Sequence, residues 1–319
     1  MREIIVTKQD EGTRLDRLIE KTFPRLPSSL LQKSIRTRKI KLNGRRTLVG
    51  DRVTAGDVIS LYVSEEFLDK PVSGGEWRMI SRPRFTVCFE NEHLLIVVKP
   101  VGMACQPDAR ETVDTLSNHV KAYCHITGQW IPEQSGAFAP ALCNRIDRNT
   151  GGLVIAAKTA AALRDVNAAI RERLVEKRYL CIVHGKPVPE SGKIEGYLKK
   201  NPVENRVYFL DSKTRGALYA ATEYRTLRSC GEFSLLECRL ITGRTHQIRA
   251  QMAHIGHPLV GDGKYGHLEV KGFTSQSLLS YSVTFNSGGG VLSELNGRTF
   301  KIDGADLVSD FERLRAGNV

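Results

Sequence analysis

The chain has 319 residues, of which 41% are hydrophobic and 26% are charged. A chain of this length can bury an ordinary core in two domains, so its composition excludes a wholly disordered protein. No stretch approaches the roughly 18 apolar residues that a membrane helix needs, and Glu3 and Asp10 stand where a secretory signal would be apolar. We therefore expect a soluble, cytoplasmic protein without a membrane partner.

The formal net charge of +12 is distributed unevenly along the chain. One segment has no acid and seven basic residues, which are Lys33, Arg36, Arg38, Lys39, Lys41, Arg45 and Arg46. Such clusters bind polyanions because each neutralised phosphate releases counterions. The segment predicts a nucleic-acid partner, and the alternative is a solvated basic face.

Residues 1–63 are predicted to form a small module of two helices followed by a strand, a turn and a closing strand. The first helix carries Leu15, Leu18 and Ile19 on one face after a cap at Thr13, and the second follows a cap at Ser28 or Ser29. A strand, a turn at Asn43-Gly44 and a closing strand over Val58–Val63 follow.

Residues 64–84 lack an apolar period and contain two prolines and two glycines, so they are predicted to form a linker. From residue 85 to residue 319, apolar strand-like runs alternate irregularly with amphipathic helices. Several strands follow each other directly, which favours a mixed or antiparallel sheet flanked by helices. The predicted fold class is therefore α+β, with a small α/β module preceding the larger domain.

The sequence has no phosphate-binding or dinucleotide-binding glycine motif, and no cofactor is expected. His254 and His257 have metal-ligand spacing, but Gly256 and Pro258 break the helix there and no third ligand is nearby, so we expect no metal. The seven cysteines contain no C-x-x-C pair and are interpreted as free thiols.

One charged loop that runs directly into an apolar strand, NRIDRNTGGLVIAAK (residues 144–158), is the strongest candidate site. Asp147 lies between Arg145 and Arg148, two arginines that could pair with its carboxylate. Taken alone, this pattern is more typical of a surface ion pair than of a catalytic group.

Arg145-Ile146-Asp147-Arg148, followed by Thr150, Gly152 and Leu153, resembles the H-R-L-D-x-x-T-S-G-L signature of the RluA-type pseudouridine synthases. Three further blocks agree in order and spacing, and they are Glu90–Pro107, Glu176–Gly185 and Thr242–Gly266. Residues 12–63 resemble the RNA-binding module of ribosomal small-subunit protein four. Asn144, Asn149, Gly151 and Gln106 depart from the family pattern.

The resemblance implies a role for each matching residue. Asp147 matches the nucleophilic aspartate, Tyr179 the tyrosine that stacks on the uracil, and Arg249 the basic partner of the aspartate. Arg145 matches the arginine that enters the space left by the extruded base. The implied RNA-binding residues of the amino-terminal module are Lys33, Arg36, Arg38, Lys39, Arg45 and Arg46.

This chemistry is consistent with the absence of cofactor motifs. Pseudouridine formation breaks the ribose–N1 bond and joins the ribose to C5 of the same uracil, without net redox change. The base must first leave its stack, which costs a few kcal/mol. An ionised carboxylate then attacks the anomeric carbon or helps to remove the 2′ proton, and the residues leave both routes open.

Large-subunit ribosomal RNA is the expected substrate and transfer RNA the alternative; we expect a monomer. Two other functions stay open. One is a non-enzymatic ribosome-assembly factor, which loss of Asp147 would have favoured. The other is a nucleoside-type hydrolase, which would need a second carboxylate and would release free uracil.

Overall fold

The computed structural model describes residues 1–23, 26–68, 75–135, 138–266, 268–286 and 288–317. The helices are α1 (Leu15–Thr22), α2 (Ser28–Arg36), α3 (Glu65–Leu68), α4 (Leu116–Ile126), α5 (Ala160–Arg171), α6 (Gln247–His254) and α7 (Ala305–Arg315). The first strands are β1 (Arg2–Ile5), β2 (Ile40–Leu42), β3 (Arg45–Arg46), β4 (Val58–Leu61), β5 (Thr86–Glu90), β6 (Leu94–Lys99), β7 (Ala141–Leu142) and β8 (Gly151–Ala157). The remaining strands are β9 (Val175–His184), β10 (Ser191–Asn201), β11 (Arg206–Leu210), β12 (Leu218–Cys230), β13 (Phe233–Leu240), β14 (Leu278–Phe285) and β15 (Thr299–Lys301). Within these ranges, no helix has the length and apolarity needed to cross a bilayer.

The amino-terminal strands form an antiparallel sheet in the order β1-β4-β2-β3. Asn43 and Gly44 have φ values of 51° and 73°, the positive pair that a tight hairpin turn requires between β2 and β3. One side of the sheet packs on α1 and α2 around a core that includes Leu15, Ile35 and Ile59. Both expected helices and the turn are therefore present in the structure.

Some local expectations for this module were wrong, and one strand was not predicted. Helix α1 begins at Leu15 with Arg14 at its N-cap, and α2 begins at Ser28 after Pro27, without a side-chain cap in either case. The closing strand ends at Leu61 rather than Val63. Strand β1 was not predicted, because a four-residue segment with two charged or polar positions is a weak signal until its partner β4 is known.

A second sheet of the described chain is mixed and contains eleven strands. Its main path runs β11-β10-β12-β13-β9-β14-β8-β6-β5, with β15 added to β14 and β7 added to β8. Strands β14 and β8 pair in parallel, whereas β9 pairs antiparallel with both β13 and β14. This arrangement confirms the predicted α+β class with a mixed sheet.

Helices cover both faces of the large sheet because side chains alternate along its central strands. Leu95 and Val97 face the core shared with α4 and α6, while Leu94 and Ile96 face the core shared with α5. Leu180 and its neighbours pack against α7. The amino-terminal end of β8, the first half of β9 and the start of α6 converge at one edge of the core.

The segment predicted as a linker contributes side chains to both cores. Leu68 of α3 lies in the amino-terminal core, and Trp77, in a 3-10 helix over Glu76–Met79, lies in the core beside α4. Residues 69–74 of the predicted linker lie outside the described residues. The division of the chain at residues 63 and 84 stays a prediction.

Candidate active site

A cavity of about 1240 Å³ opens where β8, β9 and the amino end of α6 converge. Its described lining contains nine lysines and arginines and three acidic residues. The predicted residues Arg145, Asp147, Tyr179 and Arg249 all line it. Such a surplus of positive charge attracts a polyanion into the cavity.

The loop that carries Asp147 is held by a close approach of two strands. Gly152, which follows this loop in the sequence, has a φ angle of 109°. A Cβ atom on this residue would lie 2.1 Å from the carbonyl oxygen of Ser280 in β14. Only glycine permits this contact. The backbone N–H of Thr150 donates to the carbonyl of Asp147 at 3.0 Å, which closes the turn before β8.

Lys99 anchors the same loop through hydrogen bonds from its side-chain amine. Its buried amine donates to the carbonyl oxygens of Pro100, Met103 and Arg148 at 2.8, 2.8 and 2.9 Å. Burial lowers the pKa of Lys99 to about 8, and the three acceptors match the three N–H donors of an ammonium group. The lysine thus ties the end of β6 to the residue that follows Asp147.

Arg249 of α6 joins two carboxylates. Its Nη1 donates to Asp147 Oδ2 at 2.8 Å, while Nε and Nη2 donate to the two carboxylate oxygens of Asp262 at 2.7 and 2.8 Å. The Asp262 side chain is fully buried and that of Asp147 is 24% exposed. Burial alone would raise the pKa of Asp262, but the hydrogen bonds and charge of Arg249 outweigh it and lower that pKa.

His246 lies beside the Asp147 carboxylate, at 3.9 Å from Nε2 to Oδ2. The residue caps α6 in the left-handed conformation, with φ 51°. The Tyr265 hydroxyl accepts from the Val207 N–H and lies within hydrogen-bond distance of His246 Nδ1, at 3.0 Å. Burial lowers the pKa of His246, which favours the neutral ring.

Tyr179 forms part of the cavity wall next to Asp147. Its side chain belongs to the core on the α6 side of the sheet, and its residue surface is 5% exposed. Burial raises the pKa of Tyr179 to about 12, so the phenol is neutral at pH 7. An aromatic ring in this position can stack on a planar base.

The two arginines that flank Asp147 contact other groups. Arg148 pairs with Asp108 at 2.8 Å, and the exposed Arg145 donates to Gln106 at 3.3 Å. The expected pairing of these arginines with Asp147 was therefore wrong. Adjacent side chains of an irregular loop diverge, and the partner of the carboxylate is Arg249, 102 residues away in sequence.

Comparison with known proteins identifies the family. Residues 93–254 match the family described as RNA pseudouridylate synthase. A Mycoplasma pneumoniae protein named an uncharacterized RNA pseudouridine synthase is 32% identical over 89% of this chain and 88% of its own. This chain belongs to the RNA pseudouridylate synthase family. It is an RluA-type pseudouridine synthase, and therefore an isomerase.

This chain is also similar to a second named relative and shares its fold with a solved structure. A protein of Zymomonas mobilis named ribosomal large subunit pseudouridine synthase D is 32% identical over 83% of this chain and 80% of its own. The solved structure of human RNA pseudouridylate synthase domain containing 4 shares the fold, with a TM-score of 0.59 and 19% identity. It covers 76% of this chain and 97% of the human one.

The departures from the family pattern have defined contacts in this pseudouridine synthase. The Asn144 side-chain oxygen accepts from the backbone N–H of Ile155 at 2.8 Å, so it fixes the loop to β8. Gln106 is the acceptor for Arg145. Gly151 lies in β8 with its Cα facing Val101, where a Cβ would come within 3.1 Å of the valine methyl group.

The histidine pair and the cysteines have other surroundings. His254 stacks on Phe209 and lies 3.3 Å from Asp211, whereas His257 Nδ1 lies 2.9 Å from the carbonyl of His184. In the described ranges, no three potential ligands form a metal cluster. All seven cysteines are free thiols, as the spacing indicated.

Sequence patterns missed three side chains of this site. Lys99 and Asp262 lie in the segments Glu90–Pro107 and Thr242–Gly266, which resemble the family, but no local pattern connects them with Asp147. Lys177 also lines the cavity. The six basic residues expected to bind RNA in the amino-terminal module do not line it; all six are exposed.

Proposed function

We propose that this pseudouridine synthase isomerises uridines of large-subunit ribosomal RNA. Several relatives, from Zymomonas mobilis, Nitrosomonas europaea and Neisseria meningitidis, bear the name ribosomal large subunit pseudouridine synthase D. An excess of basic residues in the cavity and in the amino-terminal module supports a large polyanionic substrate. In this proposal the reaction needs no cofactor.

The ion pair between Asp147 and Arg249 carries the mechanistic part of the proposal. Its 2.8 Å contact holds a carboxylate oxygen at the wall of a cavity large enough for a nucleotide. Asp147 acts at the ribose, on the anomeric carbon or on the 2′ hydrogen, while the N1 bond breaks. The uracil then turns and bonds through C5, and the C5 hydrogen leaves to solvent.

Tyr179 and Arg145 have complementary roles in this proposal. The uracil leaves the RNA stack and its ring packs on Tyr179, which contributes about 1 to 3 kcal/mol. The exposed guanidinium of Arg145, two residues from Asp147, enters the vacated space in the RNA. Together these contacts offset the few kcal/mol that unstacking costs.

The amino-terminal module is proposed to anchor the substrate. Lys33, Arg36, Arg38, Lys39, Arg45 and Arg46 are exposed, and within the described residues none of them pairs with a carboxylate. Phosphate contacts from this surface would position the RNA without reading its bases. Residues 1–63 are thus the binding module, residues 64–84 the connection and residues 85–319 the catalytic domain.

Replacing Asp147 with Asn tests the mechanism, because the amide keeps the size of the side chain but removes its charge and nucleophilic oxygen. We expect tritium release from RNA labelled at C5 of uridine to fall by roughly 1000-fold or more, with RNA affinity within a few fold of the parent. Asp211→Asn, which alters a carboxylate outside the cavity, should leave the rate unchanged.

Parental tritium release by Asp147→Asn would contradict the role of Asp147. The substrate is tested by mapping pseudouridine in total RNA from a strain lacking this protein and from its parent. Sites missing only from transfer RNA would replace ribosomal RNA as the substrate. No missing site, together with no tritium release by the parent protein, would favour a non-enzymatic assembly factor.

A further inference from the structure

Lys177 occupies an unusual position in the cavity wall. Side chains alternate along β9, so Lys177 and Tyr179 lie on one face of the strand, about 7 Å apart along its axis. Both line the cavity. Lys177 is 8% exposed, which is rare for a lysine.

The Lys177 amine differs from the other buried amines of the protein in its surroundings. Lys99 donates to three carbonyl groups, and Lys158 donates to Glu90 at 2.9 Å and to Gln129 at 2.6 Å. For Lys177, the described part of the chain supplies neither a hydrogen-bond acceptor nor a carboxylate within salt-bridge distance. Burial lowers its pKa. Within the described residues the Lys177 amine is therefore a largely buried cation without a protein partner, and its partial desolvation costs free energy.

Gly243 leaves this amine open to the cavity. A Cβ atom on Gly243 would lie 3.5 Å from the Lys177 Nζ atom, in van der Waals contact with the side of the amine that faces Gly243. The φ angle of Gly243 lies outside the left-handed region, so backbone conformation does not require glycine here. Gly243 itself lines the cavity. The missing side chain thus provides access for a ligand to the amine.

We propose that the Lys177 amine, above Gly243, binds a phosphate of the nucleotide whose uracil stacks on Tyr179. This inference rests on the proposed function, because it assigns a subsite to the flipped uridine. The uracil is neutral, so the phosphates are the negatively charged groups that this nucleotide brings near the amine. A phosphate oxygen supplies both the acceptor and the counter-charge that the protein does not supply.

Ligand-detected NMR titrations with uridine, uridine 5′-monophosphate and uridine 3′-monophosphate test this subsite. We expect the parent protein to bind at least one monophosphate about ten-fold more tightly than uridine. The preferred isomer identifies which phosphate Lys177 contacts. Lys177→Met should bind uridine as the parent does but lose the preference, whereas Lys177→Arg should keep most of it.

Lys301→Met is the matched control, because Lys301 is exposed and lies outside the cavity lining; it should retain the preference. Gly243→Ala should weaken phosphate binding, because the added methyl group contacts the side of the amine that faces Gly243. Lys177→Met should also melt at a higher temperature than the parent, since it removes an uncompensated buried charge.

A parent protein that binds both monophosphates no better than uridine would overturn the proposal, and so would an unchanged preference in Lys177→Met. These titrations do not depend on turnover. If tritium release failed while the phosphate preference depended on Lys177, the proposed reaction would be wrong and the phosphate subsite would stand. If release succeeded without that preference, only the subsite would be wrong.

Discussion

At the scale of single residues, Arg249 is shared between a buried and an accessible carboxylate. Asp262 takes two of its N–H donors and also accepts from the backbone N–H groups of Lys264 and Tyr265 at 3.1 and 3.3 Å. Asp147 accepts from Nη1, the guanidinium nitrogen that Asp262 does not use. The buried partner therefore sets the orientation in which Arg249 meets the accessible one.

Asp262→Asn should lower the free energy of unfolding by about 3 kcal/mol at pH 7, because it breaks a buried charge pair. The pKa of Asp262 is lowered in the folded state, so its contribution is present above the unfolded value, about 3.9, and disappears as the pH falls through the folded value. Urea unfolding at a series of pH values should show the largest difference between parent and variant at pH 7 and a decreasing difference as the pH falls below about 3.9.

Asp310→Asn is the control for this comparison, because it changes an exposed carboxylate that pairs with Arg313. Its effect should stay below about 1 kcal/mol. A loss in Asp262→Asn that does not decrease as the pH falls below about 3.9 would show that the side chain stabilises the fold through packing rather than through its charge.

At the scale of elements, Lys99 connects β6, the turn after it and the loop that enters β8. Lys99→Met would leave three carbonyl groups without their donor, at a cost of about 1 to 3 kcal/mol for each group that stays buried. We expect a lower melting temperature and reduced tritium release, because the Arg148 carbonyl is one residue from Asp147. Calorimetry and the tritium assay on one preparation measure both.

The same substitution at two buried lysines should thus have opposite effects on stability. Lys99→Met is expected to destabilise the fold and Lys177→Met to stabilise it, with Lys301→Met unchanged. Equal losses in both buried variants would contradict the distinction between a satisfied amine and an unsatisfied one.

The larger elements were accessible from sequence because each carries a strong local signal. The Asn43-Gly44 turn, the apolar run of β8 and the periodic face of α5 are examples. Strand β1 and the absent side-chain caps were not accessible, because pairing with β4 and the packing of the helix ends decide them. Local patterns identify an element more reliably than its boundary.

The candidate site was only partly accessible for a related reason. Asp147 was conspicuous in its loop, and the local pattern placed its charge partners at Arg145 and Arg148. Only the family resemblance indicated Arg249, which lies on α6. The importance of Lys177 depends on what is missing around its amine, and no sequence pattern reports that. Asp262 acquires a function only when the fold brings it against Arg249.

At the scale of the whole molecule, the amino-terminal module contacts the larger domain. The Lys21 amine lies 5.2 Å from the centre of the Phe138 ring, and Gly12 faces the guanidinium of Arg164. The exposed basic residues of the module are outside the cavity lining. A single RNA could therefore contact both surfaces, which should add their charges in one salt-dependent binding step.

Replacing Lys33, Arg36 and Arg46 together with Gln tests this addition. The magnitude of the slope of log affinity against log salt should fall by about 2 to 3, at roughly 0.7 to 0.9 for each of the three lost phosphate contacts. The isomerisation rate at saturating RNA should not change. A triple Gln variant at the exposed residues Lys186, Lys271 and Lys301 should keep the parental slope. Unchanged slopes in both variants would remove the module from RNA binding.

The two-carboxylate arrangement around Arg249 has a consequence for target choice. Because Asp262 already fixes the guanidinium in the protein alone, the charged machinery needs no rearrangement when RNA arrives. The deformation needed to reach the reactive geometry then falls on the nucleic acid. Selection among uridines would then depend on the free energy needed to unstack and unpair each one. Uridines in bulges, loops and weak pairs would be the preferred targets of a rigid enzyme.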